Sequence, residues 1–348
     1  MLRRETMIFA AIIMVLLPLA SVELDVSIVS ASVVQNNDPI RVVVSVEMLK
    51  AIVSPIIDGV GEVYPIISGG VEPHSFTLTP SIIHDVCRSD LIVVTGHMEW
   101  ENKLVEEAAK VRGVNADLIS INLLELDGIK ILSLDGGRNV HGFWLLPDNA
   151  IIIAREVKDR ILKMRPDLSQ RVTENYVKFE RRVLDLKNFL EGLSDRYNVC
   201  GKSVVIGFYA EMYIVEALGL KVGSWLMGEE EMISPEKLKS VYDGLRSGEY
   251  TCIIFSDVAA LRENTKRILE EVSEKTGCPV AYVLTVSSDG LDDYNAVMYY
   301  NAGQIYCALL TSHPPAQSSP DIYLFTIMAL LVIIAFETSL LIRRGSSK

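Results

Sequence analysis

Unbroken runs of Val and Ile recur along the chain, separated by polar segments with helical spacing. "RVVVSVEM" (41–48), "DLIVVTG" (90–96), "KSVVIGF" (202–208), "TCIIFSD" (251–257) and "PVAYVLTV" (279–286) are of the first kind. Short apolar runs without alternation mark strands covered on both faces, and so predict parallel sheets. Between them, "PEKLKSVYDGLR" (235–246) and "RENTKRILEEVSEKTG" (262–277) carry the helical period, the second closed by Gly277. Strand–helix alternation on either side of a central segment predicts an α/β protein of two doubly wound parallel-sheet lobes. The central segment is the most regular stretch of all. After Pro166, Val172, Tyr176, Phe179, Val183, Leu186, Leu190 and Leu193 form one helical stripe with charged residues around it. It predicts a single helix over 167–196, about 45 Å long at 1.5 Å per residue. Such a strut between lobes restrains hinge closure.

The two ends are apolar in different ways. Arg3 and Arg4, then an apolar run from Met7 to Ala20, read as a signal segment over 1–31, with Ser30, Ala31 and Ser32 a candidate cleavage region. No cysteine lies there, so no lipid anchor is expected. Residues 322–342 are almost wholly apolar, long enough to span a bilayer, and followed by Arg343, Arg344 and Lys348 in a short tail (343–348). A Pro/Ser-rich stalk, "TSHPPAQSSPD" (311–321), precedes the span. The expected layout is a first lobe (40–165), an inter-lobe helix (166–197), a second lobe (198–310), the stalk and a C-terminal transmembrane helix. By the positive-inside rule the lobes lie outside the cell and are tethered to its membrane.

Charge and cysteine content narrow the classes. The formal net charge is −12. With residues 1–21 (net +1) and 322–348 (net +2) set aside, −15 remains for the outer part. That balance argues against nucleic acid and suits a soluble outer module or a cationic ligand. The five cysteines are irregularly spaced with no CxxC, so no pairing is assigned.

The candidate chemistry rests on a few histidines. "GGVEPHSFTLTPS" (69–81) places His74 on a Gly- and Pro-flanked loop, and "RNVHGFWLLPDNA" (138–150) places His141 on another. Loops at the carboxyl ends of parallel strands are where such folds hold ligands. His97 and Glu99 sit at a strand end beside the same cleft, and His97 is read as a cap for the helix that follows in preference to a spare ligand. His84 reads as structural, and His313 falls in the stalk. No G-x-S-x-G, Walker loop, HExxH or enzymatic Cys/His pairing is present, so no enzyme is indicated.

Taken together these stretches resemble the zinc- and manganese-binding solute-binding proteins of ABC importers. The likeness runs from residue 40 to 310 and includes "GHMEWENKL" (96–104), "ISPEKLKSV" (233–241) and "YNAVMYYNA" (294–302). The resemblance implies a divalent transition metal, zinc or manganese, held between the lobes as cargo, with an ABC permease and its ATPase as partners and no organic cofactor. Carried over, His74 and His141 are the first-lobe ligands. In the second lobe, "GFYAEMYIVEALGL" (207–220) resembles the family's Ser-His-Asp-Ala-Phe-x-Tyr stretch, and alignment on Ala210 and Tyr213 puts Phe208 at the ligand position. Phenylalanine binds no metal, so Glu211 is the substitute candidate. The family's aspartate maps to "VSSDGLDD" (286–293), where Asp289 is the candidate and a turn residue before Gly290 the competing reading. Two imidazoles and two carboxylates would favour manganese or ferrous iron.

Two other readings keep the scaffold. Phe208 and its aromatic neighbours Phe143, Trp144, Tyr209 and Trp225 either pack the lobe interface or shape the cleft for a chelated metal or small organic ligand. A tethered adhesion or sensory ectodomain is the third possibility.

Overall fold

The computed structural model describes residues 38–227 and 233–311. The signal segment, most of the stalk and the C-terminal span lie outside the described residues. Among the described residues, no helix is long and apolar enough to cross a membrane.

Two four-stranded sheets organise residues 39–311, and every neighbouring pair within them is parallel. In the first, strands β1 (Ile40–Val46), β2 (Gly61–Ile67), β3 (Leu91–Val94) and β4 (Ser120–Asn122) are arranged in the order 2-1-3-4. In the second, β5 (Ser203–Ile206), β6 (Lys221–Trp225), β7 (Tyr250–Ser256) and β8 (Val280–Val283) lie in the order 8-7-5-6. Counted from its own first strand, each sheet therefore has the same order, and each turns its chain direction between its first and third strands. That switch point is where an open α/β sheet leaves a crevice at its strand ends.

The inner strands are buried on both faces: Val42, Val44, Leu91, Ile92 and Val93 in one sheet, Val204, Ile206, Ile253 and Ile254 in the other are essentially unexposed. Burying a side chain of this size contributes about 1.5–3 kcal/mol. Helices cover the sheets, and the longest runs from Ser169 to Tyr197. At 1.5 Å per residue it is about 44 Å long. Val172, Tyr176, Phe179, Val183, Leu186 and Leu190 form its buried face, as the stripe predicts, joined by Asn175 and Ser194. Asn198 ends it in the left-handed conformation, a position that favours Asn or Gly. It packs on the helix Pro147–Met164 and on the last described helix, Tyr294–Thr311, and so belongs to both lobes.

The lobes are closed on each other along one seam. Met48 N–H donates to Val286 O (2.8 Å), Trp144 Nε1–H to Thr285 O (2.9 Å), and the Tyr294 hydroxyl to Leu145 O (2.8 Å). Glu47, opening the helix after β1, accepts from the hydroxyls of Ser287 (3.1 Å) and Ser288 (3.3 Å). All five cysteines are free thiols, with Cys252 and Cys278 buried.

Candidate metal centre

Three loops at the C-terminal ends of the first lobe's strands, or leading out of that lobe, converge on the seam. Each brings one histidine. His74 follows β2 on a single turn, Pro73–Ser75, whose N-terminus is capped by the Glu72 carboxylate accepting from Ser75 N–H (2.8 Å). Trp100 fixes this turn from outside: its Nε1–H donates to Pro73 O (2.9 Å) and its ring meets Phe76 at 4.9 Å between centroids. His141 lies on the segment entering the helix Pro147–Met164, with its N–H on Asn139 Oδ1 (3.0 Å). Asn139 Nδ2–H reaches across to Tyr209 O (2.8 Å). The next residue, Gly142, has φ +80° and approaches Ala210 so closely that a Cβ would lie 2.9 Å from its carbonyl oxygen. Only glycine fits there, and the absence of a side chain brings His141 against the second lobe.

His97 completes the set. It follows β3, and the sequence reading of it as a helix cap is corrected here. Glu101 serves that helix end instead, accepting from the N–H groups of Thr95 (2.7 Å), Gly96 (2.8 Å) and Met98 (3.2 Å). With the helix terminus satisfied, the His97 ring is free to turn inward. The three ring centroids form a near-equilateral triangle: His74–His97 5.3 Å, His74–His141 5.1 Å and His97–His141 5.1 Å. One nitrogen from each lies within 4.8 Å of the others, so a small inward shift of the rings brings all three onto one ion. Among the described residues this is the one group of three or more such side chains. Burial, together with the nearby His141 and His74, pushes the His97 imidazole down to about 3. It is therefore neutral over the physiological range and presents a lone pair to an ion. His74 is exposed and His141 buried, which opens the centre on one side only.

The second-lobe candidates are elsewhere. Glu211 is fully buried, and its two carboxylate oxygens are taken by Phe208 N–H and Ser256 N–H (2.7 Å for the latter). It ties the ends of β5 and β7 together. Burial pushes its carboxyl up to about 8, against hydrogen bonds from Ser256 and Phe208 that pull it down. A carboxyl spent on backbone amides has no lone pair aimed at the triangle. Asp289 is exposed at φ +48° ahead of Gly290, with its N–H on Ser287 Oγ (3.0 Å). It is a turn residue. The carboxylate at the end of β7 is Asp257, which accepts from Thr285, Val286 and Ser287 N–H groups and shapes that loop. The structure thus brings together His74 and His141 from the sequence-level set, adds His97, and leaves out Glu211 and Asp289.

What the second lobe sets against the triangle is apolar. A cavity of about 20 Å³ is bounded by the three histidines and by Met98, Trp144, Phe208, Val258 and Val286. That is room for one water-sized body. His97 stacks on Trp144 (6.1 Å), and His141 meets Phe208 (5.4 Å) and Tyr209 (5.9 Å).

Comparison with known proteins identifies the family. The family described as zinc-uptake complex component A, periplasmic, matches residues 42–308. The metal ABC transporter substrate-binding lipoprotein of Lactococcus lactis is 24% identical over 291 residues, covering 79% of this chain and 89% of its own. The manganese ABC transporter substrate-binding lipoprotein PsaA of Streptococcus pneumoniae is 22% identical over 286 residues, covering 78% and 89%. Among solved structures, the periplasmic zinc-binding protein TroA of Treponema pallidum superposes with a TM-score of 0.64 at 18% identity, over 78% of this chain and 99% of that one. The solute-binding protein FpvC of Pseudomonas aeruginosa in complex with Mn2+ gives 0.63 at 19%, over 79% and 100%. The chain belongs to the zinc-uptake component A family.

Proposed function

We propose that this member of the zinc-uptake component A family captures a transition-metal ion between its lobes, on His74, His97 and His141, and delivers it to an ABC permease. The observation that carries this is the triangle itself: three imidazoles from three separate loops, one driven neutral by burial, around a cavity of one-ion size. Neutral imidazole is a good donor for zinc, copper, nickel and iron. The two-histidine, two-carboxylate set that would favour manganese is replaced by three nitrogens, and the reading moves toward zinc. The metal is cargo, and no covalent chemistry belongs to the site; members of this family are binding proteins rather than enzymes.

The apolar segment 322–342 supports tethering of the lobes to the outer face of the membrane, where the lipoprotein relatives are also held. The test of function is metal content of the full chain, purified from metal-replete medium, dialysed and read by elemental mass spectrometry beside His74→Ala. Near one equivalent of ion in the parent, lost in the variant, supports capture. No ion in either, even with added zinc and manganese, sinks it.

A further inference from the structure

We infer that the metal centre is complete on the first lobe, and that Phe208 of the second lobe caps it without supplying a ligand, thereby excluding ions that need oxygen donors or many waters. This rests on the three histidines being the site.

The donors all precede the inter-lobe helix in the chain, whereas the facing wall is Phe208, Ala210, Val258 and Val286. None of these four can coordinate an ion. Phe208 is not a passive filler. Tyr209 stacks on it at 5.6 Å, and the Arg262 guanidinium lies over its ring, 4.9 Å from the centroid. Arg262 also reaches Glu72 (3.4 Å), two residues before His74, so the cap is tied to the loop that carries the exposed ligand. Both side chains of that ion pair are about four-fifths buried, which removes much of the screening that weakens surface pairs.

Volume then separates the ions. An ion held by three imidazoles that also kept three waters would need about 30–45 Å³ of free space for them, at roughly 10–15 Å³ each. The cavity offers about 20 Å³. Manganese prefers oxygen ligands in octahedral arrangement, which this wall neither provides nor leaves space for. An ion content with three nitrogens and one small exogenous ligand fits, that last position lying toward the exposed His74. Zinc has this preference, in four-coordinate sites with one place open. Cuprous copper shares the taste for few neutral donors.

The experiment titrates the metal-stripped full chain with Zn2+, Mn2+ and, under reductant, Cu+, beside Phe208→Glu and Phe208→Ala. The parent should bind zinc at least about 100-fold more tightly than manganese, beyond the preference of an open nitrogen site. Phe208→Glu adds an oxygen donor and should narrow that ratio roughly tenfold by gaining manganese. Phe208→Ala removes the cap without adding a donor; zinc affinity should stay within about threefold while manganese gains a little. Should Phe208→Glu fail to fold, as judged by its melting curve, Val286→Asp places a carboxylate on the same wall. Parent binding of manganese and zinc with similar affinity overturns the inference, as does loss of zinc binding in a folded Phe208→Ala. Tighter cuprous than zinc binding, with manganese still rejected, upholds the one-lobe centre and changes its cargo. Absence of all three ions from the parent is the separate failure of the three-histidine site itself.

Discussion

Thr95 Oγ1 lies 2.9 Å from His97 Nδ1 and 2.8 Å from both carboxylate oxygens of Glu101. A carboxylate only accepts, so the Thr95 hydroxyl proton points to Glu101 and its lone pair faces the imidazole. The hydrogen of neutral His97 is then on Nδ1, and the lone pair on Nε2. A ligand ring needs this: one nitrogen anchored, the other free for the ion. Glu101 thus does two things, satisfying the start of the helix Glu99–Arg112 and, through Thr95, setting the tautomer of His97 one turn away.

From that follows a positioning role for Thr95. Thr95→Val keeps the shape and β-branching but removes the acceptor. Metal affinity should fall by about 10–100-fold, the usual effect of losing a partner behind a ligand. Thr95→Ser, which keeps the hydroxyl, should restore most of it. Calorimetric titration of both variants checks this, and equal loss in Val and Ser would show that packing, not the hydroxyl, is at stake.

A direct comparison separates ligands from neighbours. His97→Ala should lose more than about 100-fold in affinity, since a third of the protein donors disappears. Asp289→Ala should stay within about threefold, because that carboxylate stands on an exposed turn. Reversed results in the same titration would restore the sequence-level ligand set and remove His97 from it.

How much of this was legible beforehand depends on burial. β1, β3, β5 and β7 are inner strands, read directly from their Val/Ile runs. Three of the edge strands, β2, β4 and β6, gave no such run. "GEVYPII" carries Pro65, which an edge tolerates because one row of its amides is unpaired, and "KVGSW" carries Gly223 beneath the Tyr250 ring. Half-covered strands need no continuous apolar sequence, so periodicity passes over them. The long helix was plain because its stripe is uninterrupted for six turns. Loop position and family likeness single out His74 and His141 in the sequence, whereas His97, open there to reading as a spare ligand, has a simpler local explanation as a helix cap. The nearby Glu101 was the missed signal. With an acidic side chain at the third helical position to serve the backbone amides, the cap was already provided. Glu211 misled in the opposite way: whether a carboxyl faces a cavity or a backbone turn is a matter of side-chain direction, which spacing does not encode.

The seam between lobes rests partly on one carboxylate. Glu47 accepts from Gly69 N–H (3.1 Å) within its own lobe and from Ser287 and Ser288 across the seam. Glu47→Ala leaves these donors unpaired in a half-buried place and should cost about 1–3 kcal/mol of stability. Backbone bonds such as Met48 to Val286 persist, so the lobes should loosen rather than part. Amide exchange measured by mass spectrometry should quicken for peptides covering 284–291 while the strands β3 and β7 keep their protection. Unchanged exchange across 284–291 would mean that the backbone contacts alone hold the seam.

Glu211 makes stability depend on pH with a definite sign. Its folded value, about 8, lies above the ordinary 4.5, because burial disfavours the charge. Between those two values the folded chain holds one proton more than the unfolded chain, so this residue's contribution is fully present below pH 4.5 and declines as pH rises through 8. The parent's melting temperature should therefore fall across that window relative to Glu211→Gln, in which nothing titrates at this place. The glutamine cannot accept from both Phe208 and Ser256 amides, so at pH 5 the variant should be the less stable by about 1–3 kcal/mol, and at about 1.4 kcal/mol per pH unit the gap should close and then reverse before pH 8. Zinc affinity should change by no more than about threefold, since the carboxyl faces the backbone and not the histidines. Melting curves of the metal-free proteins at half-unit pH steps carry the test. Parallel curves would place the Glu211 pKa near its ordinary value, and so would require that its charge be stabilised in the fold by the same amides that hold it.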